Sequence, residues 1–333
     1  MSLSLKPLIS PKFAVTTLVI VILLMIWAIA YLFITKEVAY ENLSPQMYVI
    51  QDLLEYNEFT SNIICSLLTL LNMFLIYLLN NKFSIIRIRT LLPVFIFLLL
   101  ISVWYQTHCL VFSHLALTLF IMSLLVFFNM YRNRYSTEQA FLGTLLLVTG
   151  SLILKPLILF VPICWYSFIH YNCFSLRTFL ASLFGVLAPW GTYLVINQTI
   201  QPDNQWFFDI LEPFKIEFLF FENSTAEIAY IGALLILGII FLVEMLVLIK
   251  KDSQQTRTKL NIVLSFGLAA TIFSLFLNNQ YSMFMPFMAF TYAMLFSHPL
   301  TLKLSRFNSI LFILFVLINI AYVVYNIVES SLV

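Results

Sequence analysis

Long apolar runs alternate with short polar interruptions along the whole chain. The runs fall near residues 13–34, 61–79, 91–105, 113–131, 140–154, 156–171, 178–198, 229–249, 261–277, 283–296 and 308–327. A hydrocarbon layer of ~30 Å is crossed by about 20 helical residues, and by fewer where a helix is short or partly re-entrant. The pattern predicts an all-α polytopic transmembrane bundle of about 11 spans. No internal repeat, low-complexity tract or separate soluble domain interrupts it, so residues 1–333 read as a single transmembrane domain. The two segments flanking Lys155-Pro156 are short, and read either as two spans or as one broken element. The first run, beginning at Phe13, exceeds a signal-peptide core and has no small-residue cleavage site after it. It reads as a retained span.

Two interruptions are long, residues 35–60 and 199–228. Long connections on a compact membrane protein are where function concentrates. In the first, Ser44-Pro45 has the residue types of a helix N-cap and first turn. Met47, Ile50 and Leu54 then fall on one helical face, and Gln51, Glu55 and Glu58 on the other. Such a segment lies flat on a membrane surface. In the second loop Trp206, Phe207, Phe208, Phe214, Phe218, Phe220 and Phe221 are interleaved with acids, a density suited to the interface.

Charge orients the bundle. With the N-terminus in the cytoplasm, all but three of the 17 Lys and Arg fall on the inner side, the exceptions being Lys36, Lys155 and Lys215. All but three of the 15 Asp and Glu fall outside, the exceptions being Glu138, Glu244 and Asp252. This obeys the positive-inside rule, and removing any one span would put basic loops on both faces. The expected topology is N-in and C-out.

Composition agrees with the pattern. The chain is 62% hydrophobic and 10% charged, against roughly 45–50% and about 25% in soluble domains. A net charge of +2 offers no nucleic acid a footprint, so no nucleic-acid partner is expected. Cys65, Cys109, Cys164 and Cys173 are scattered and contain no CxxC pair, which argues against a disulfide framework or a zinc site.

The polar groups with chemical promise gather on the outer side. Lys155 follows an apolar run and precedes Pro156. A lysine there either binds an anion, such as the phosphate of a lipid-linked substrate, or snorkels to the interface. Glu41, Asp52 and Glu55 in the first long loop are candidate catalytic acids. A carboxylate at the membrane surface serves as general base on an acceptor hydroxyl, or helps hold a divalent cation, or is simply solvated. Asp52 and Glu55 are three residues apart on the predicted helix and so could act together. His108 and His114, in and after the next outer turn, are candidate substrate contacts; the plainer reading is a pair of interfacial histidines. Their spacing matches no zinc pattern, and no metal site is expected from them. Glu244 lies within a span but near Lys250 and Lys251, toward which it can snorkel. His170 and His298 lie on the inner side and receive no role. There is no Walker loop, GxGxxG, HExxH or GxSxG motif. With 7 glycines, the Gly-broken paired halves of many secondary transporters are missing too.

Two resemblances follow from particular segments. Asn81-Lys82-Phe83-Ser84, Ala140-Phe141-Leu142-Gly143 and Leu176-Arg177-Thr178-Phe179-Leu180-Ala181-Ser182-Leu183 resemble a family of multi-spanning inner-membrane proteins of Bacteroidetes. That likeness implies a fold and a location but no activity. Over residues 1–200 the layout is similar to membrane glycosyltransferases of the GT-C fold. These start N-in, carry an acidic first outer loop with a surface helix, and later present a lysine segment echoed by Gly150-Ser151-Leu152-Ile153-Leu154-Lys155-Pro156. The resemblance implies that Glu41 or Asp52 is the catalytic or metal-binding acid and Lys155 the contact to a polyprenyl phosphate. The acidic pair usual in that first loop is replaced here by Glu41-Asn42.

Three functions therefore compete. The first is transfer of a sugar from a polyprenyl-phosphate carrier at the outer face, with membrane lipid and a lipid-linked sugar as partners. The second is a non-enzymatic scaffold or accessory subunit of a cell-envelope complex, with a membrane-protein partner. The third is a transporter of lipids or small molecules. All three place the chain in a bacterial inner membrane.

Overall fold

In an apolar medium each backbone amide must find its partner within the chain, and a continuous run of Leu, Ile and Phe does so as a helix. The computed structural model describes residues 58–87, 89–108, 110–133, 135–200, 225–276, 281–302 and 306–332. Among these the chain is all-helical, without a strand. The helices are α1 (Glu58–Phe83), α2 (Leu92–Val103), α3 (Val111–Phe128), α4 (Thr137–Ile153), α5 (Val161–His170), α6 (Leu176–Ile200), α7 (Thr225–Leu248), α8 (Gln254–Phe276), α9 (Tyr281–Leu302) and α10 (Arg306–Leu332). Each apolar segment predicted from residue 61 onward coincides with one of them. The predicted span at 13–34 and both long outer loops lie outside the described residues, apart from the end of the first loop and the start of α7.

Among the described residues six helices are long and apolar enough to cross a membrane: those within α1, α3, α6, α7, α8 and α10. The chain is thus an integral membrane protein by the length and composition of its helices. Leu92–Val103, Thr137–Ile153 and Lys155–His170 are shorter apolar helical stretches. α9 is different again. Every residue from Met283 to Thr301 is buried, so this helix touches other helices rather than lipid. It can therefore carry Thr291, Ser297 and His298 without exposing them to hydrocarbon. α2 also packs inside the bundle: it is apolar all round, and nearly all of it is buried.

The packing order follows from these two inner helices. α9 lies against α8, α2 and α7, while α3 bridges α1 and α4, and α4 packs on α6. At the centre the Phe120 ring meets Phe160, Phe266, Phe287 and Phe290 at centroid distances of 5.1–5.9 Å, tying α3, the turn after α4, α8 and α9 together. Each such ring pair contributes roughly 0.5–1.5 kcal/mol beyond area burial.

The break at Lys155-Pro156 is now explained. Pro156 has no N–H for α4 to continue through and clashes with the preceding turn. Leu154 turns extended and Lys155–Phe160 restarts the chain as a 3₁₀ turn leading into α5. The ring of Phe127 lies against Gly143 near the start of α4 and 5.7 Å from Phe168 near the end of α5. The pair is therefore an antiparallel hairpin, not one broken rod.

Helix ends collect at two poles. At one, the turns at 84–91, 129–136, 171–175 and 249–253 meet the end of α9. Three turns there place a non-glycine residue at positive φ, Ser84 (48°), Arg132 (60°) and Asn172 (55°). These are helix C-terminal positions more often filled by glycine. At the other pole, the start of α1, the turn between α2 and α3, and the starts of α7 and α9 converge.

Close approach of α4 and α6 depends on one glycine. A Cβ on Gly185 would land on the Thr144 hydroxyl and 2.7 Å from the Phe141 carbonyl oxygen. Since that oxygen is backbone, the two helices would have to separate. Gly185→Ala is expected to destabilise the protein by about 1–3 kcal/mol. Gly191→Ala on the same helix, where a Cβ meets nothing within 4 Å, is expected to cost nothing. Thermal unfolding of both variants in one detergent checks the contrast.

Candidate functional site

The pole built from the starts of α1 and α3 holds three residues singled out above. His108 ends the 3₁₀ turn Tyr105–His108, and His114 lies one turn into α3. Both are buried rather than interfacial. The turn exists because Trp104 is extended after α2, and Thr107 then folds back, its hydroxyl donating to the carbonyls of Trp104 (2.6 Å) and Ile101 (2.9 Å). The Thr107 carbonyl, in turn, is a hub. It accepts from His114 Nε2 at 3.0 Å and from Cys65 Sγ at 3.3 Å. A carbonyl only accepts, so the His114 proton sits on Nε2 and its Nδ1 is an acceptor. That Nδ1 is buried without a hydrogen-bond partner among the described residues, as is the donor Nε1 of Trp104.

α1 closes the site from the side. Asn72 Nδ2 donates to the His114 carbonyl at 3.1 Å, and Asn72 Oδ1 accepts from the Thr118 hydroxyl at 2.9 Å. Across the pole, Trp104 packs edge-on against Tyr230 of α7. The Tyr230 hydroxyl donates to Asn319 Oδ1 of α10 at 2.8 Å. Burial pushes the His108 imidazole down to about 3 from an ordinary 6.5; hydrogen bonds to the Ile101 and Ser102 backbone oppose the shift, and His114 adds to it. The ring is neutral in the folded protein near pH 7. It is thus a hydrogen-bonding group and not a phosphate-binding cation.

Lys155 shares this pole. It opens the 3₁₀ turn after α4 and is only 4% exposed, so it is not a snorkelling lysine. The residue has a partner within the fold. One turn earlier, Ser151 accepts from Trp190 Nε1 of α6 at 2.9 Å. A Cβ at Gly150 would sit 3.6 Å from the Ala116 carbonyl oxygen, two residues along α3 from His114. The structure thus brings Lys155, His108 and His114 to one end of the bundle. Glu41, Asp52 and Glu55 lie outside the described residues. Among the described residues no group of three His, Cys, Asp or Glu could hold a metal ion. Cys65, Cys164 and Cys173 are buried and form no disulfide among the described residues.

The opposite pole holds a cluster that sequence reading passed over. Asp252, in the turn between α7 and α8, is buried between Arg87 (Nε to Oδ1, 2.5 Å) and His298 (Nε2 to Oδ2, 2.7 Å). Lys259 of α8 is also buried, its Nζ 3.4 Å from the Phe83 carbonyl and over the rings of Phe83 (4.7 Å) and Phe128 (6.0 Å). One signal was visible: Asp252 is the lone acid in the basic stretch from Lys250 to Lys259. Its partners, however, come from distant segments.

No protein-family model matches the chain, and no curated protein or solved structure matches it either. The helices alone define the class, an integral membrane protein that is all-helical among the described residues.

Two outcomes are expected. Between pH 6.5 and about 3 the unfolded chain binds a proton at His108 that the folded chain refuses. Stability contributed by the neutral ring is therefore full above 6.5 and is lost as pH falls through that window. His108→Gln is expected to flatten the acid limb of a thermal-stability profile. Removing the Asp252 carboxylate leaves a buried imidazole and a partly exposed guanidinium without their shared partner. Asp252→Ala is expected to cost roughly 2–4 kcal/mol, and a double-mutant cycle with His298→Ala to show strong non-additivity.

Proposed function

We propose that the chain is a bacterial inner-membrane protein of about eleven crossings, N-in and C-out, that transfers a sugar from a polyprenyl-phosphate carrier at the outer face. The likeness in layout to GT-C glycosyltransferases gives this reading its chemistry. The crossing number is supported by the way helix ends alternate between two poles, with most basic residues at one of them. Asp252, one of the few acids assigned inside, sits against Arg87 of another inner turn.

One observation carries the functional reading: Lys155 is buried at a helix break, on the pole opposite the basic turns. Topology accounts for cations at the basic pole and leaves this one unexplained. In the proposed step a first-loop acid, Glu41, Asp52 or Glu55, takes the proton of the acceptor hydroxyl. The acceptor oxygen then bonds to the anomeric carbon, and the bond from that carbon to the phosphate oxygen breaks. The polyprenyl phosphate leaves with added negative charge, which Lys155 stabilises. A divalent cation belongs to this reading as a companion of the first-loop acids. His114 Nδ1 and Trp104 Nε1 are an acceptor and a donor of the kind that recognise sugar hydroxyls.

A second reading, an accessory subunit of an envelope complex, is favoured by the thoroughness with which the histidine site is tied to backbone carbonyls, as structural networks are. The two separate in one experiment. Native mass spectrometry of the purified full chain is expected to show a bound polyprenyl phosphate, reduced at least tenfold in Lys155→Gln. A wild-type protein that carries none, while co-purifying with a membrane partner, would overturn the enzymatic reading in favour of the second.

A further inference from the structure

The basic pole gathers its fixed positive charge around one hairpin. The hairpin from Ile249 to Arg257 contains Lys250, Lys251 and Arg257, and its only acid, Asp252, is buried and shared by Arg87 and His298. Two arginines from other turns reach the same hairpin. Arg87 Nη2 donates to the Lys251 carbonyl, and Arg132 Nη2 donates to Gln254 Oε1 at 2.8 Å. Arg257 Nη2 donates to the Lys250 carbonyl at 2.9 Å. A guanidinium has five N–H donors in a rigid fork. These bonds fix each fork in place while its side chain stays exposed. The ion pairs at this hairpin join Arg87 and His298 to Asp252.

Sidedness explains why cations lie at this pole. It does not explain why two arginines from other turns, and one of the hairpin's own, are bonded to the hairpin with donors to spare. Positioned forks of this kind match the oxygens of a phosphate group. The surface next to them says which phosphate. Along the last turns of α7, Val243, Leu246 and Val247 are 55%, 42% and 61% exposed and lead directly to Lys250 and Lys251. A free phosphate has no use for an apolar strip, whereas a phospholipid has a headgroup for the cations and acyl chains for the strip.

We propose that the Lys250–Arg257 hairpin, with Arg87 and Arg132, binds the headgroup of an anionic phospholipid whose chains lie along the end of α7. The site is remote from Lys155 and does not depend on the glycosyl-transfer reading.

The test uses the purified full chain. Phosphatidylglycerol, phosphatidylcholine and inorganic phosphate are added separately to delipidated protein, and bound species are read by native mass spectrometry alongside thermal unfolding. Phosphatidylglycerol is expected to be retained and to raise Tm, and the other two are not. The variant K250Q/K251Q/R257Q leaves the Arg87–Asp252–His298 contacts in place. It is expected to weaken phosphatidylglycerol binding by about fivefold per charge, on the order of a hundredfold in all. Should the triple variant fail to fold, K250Q/K251Q alone, which removes two exposed side chains, is expected to weaken binding about 25-fold. Equal retention of phosphatidylglycerol and phosphatidylcholine, or a folded variant that binds as the wild type does, would overturn the proposal. Stabilisation by inorganic phosphate equal to that by the lipid would overturn the lipid as occupant.

Discussion

The structure depends on one constraint: inside an apolar layer, each polar group must find its partner within the protein. Helices meet that demand for the backbone, and hydroxyl side chains meet it locally. Thr69, Ser102, Thr144 and Ser297 each donate to the carbonyl four residues earlier, so none of them needs a tertiary partner. Groups that cannot bond within their own turn shape the tertiary structure. Asn72 bonds to α3, Tyr230 to α10 and Trp190 to α4, each fixing the register of one helix against another. α9 shows the same constraint at the scale of an element. Its hydroxyls and its histidine are affordable because neighbouring helices cover its whole length.

The two poles answer the constraint in opposite ways. At the pole of Arg87 and Asp252 charge is retained and matched, with the acid fully buried and the arginine half-exposed to water. At the pole of His108 and His114 the network around the two histidines is uncharged, and its partners are mostly backbone carbonyls. A neutral hydrogen-bonded network can sit deep without the desolvation cost of an ion. The first pole therefore resembles a clasp between turns. The second is a place where directional hydrogen bonds are prepared, two of them without a partner among the described residues.

Much of the fold was legible in the sequence because hydropathy reports the medium directly. The positions of α1 through α10 follow from apolar runs, and the break at Pro156 from the chemistry of proline. The rank of the helices was not legible. α9 and α10 both read as apolar segments, yet α9 is enclosed and α10 exposes Ile310, Leu317 and Ile320. Periodicity does not separate an inner helix from an outer one when both are apolar all round. At the candidate site, residue identities were legible and environments were not. His108, His114 and Lys155 were placed at one end by topology, but their burial arises from Trp104, Asn72 and the 3₁₀ turns, whose positions depend on tertiary packing. The Arg87–Asp252–His298 cluster joins three distant segments, and no local spacing announces it.

The cations at the two poles differ in their surroundings. Arg132 and Arg257 are exposed and bonded to an amide and a backbone oxygen, and Arg87 adds an ion pair to Asp252. The sidedness of membrane insertion gathers lysines and arginines at one end without fixing what they bind. Lys155 lies at the opposite pole and is buried, so desolvation opposes its charge. A buried cation must be stabilised by a specific interaction. The turn after α4 therefore holds the cation whose position demands most of its surroundings, even though most of the positive charge lies elsewhere.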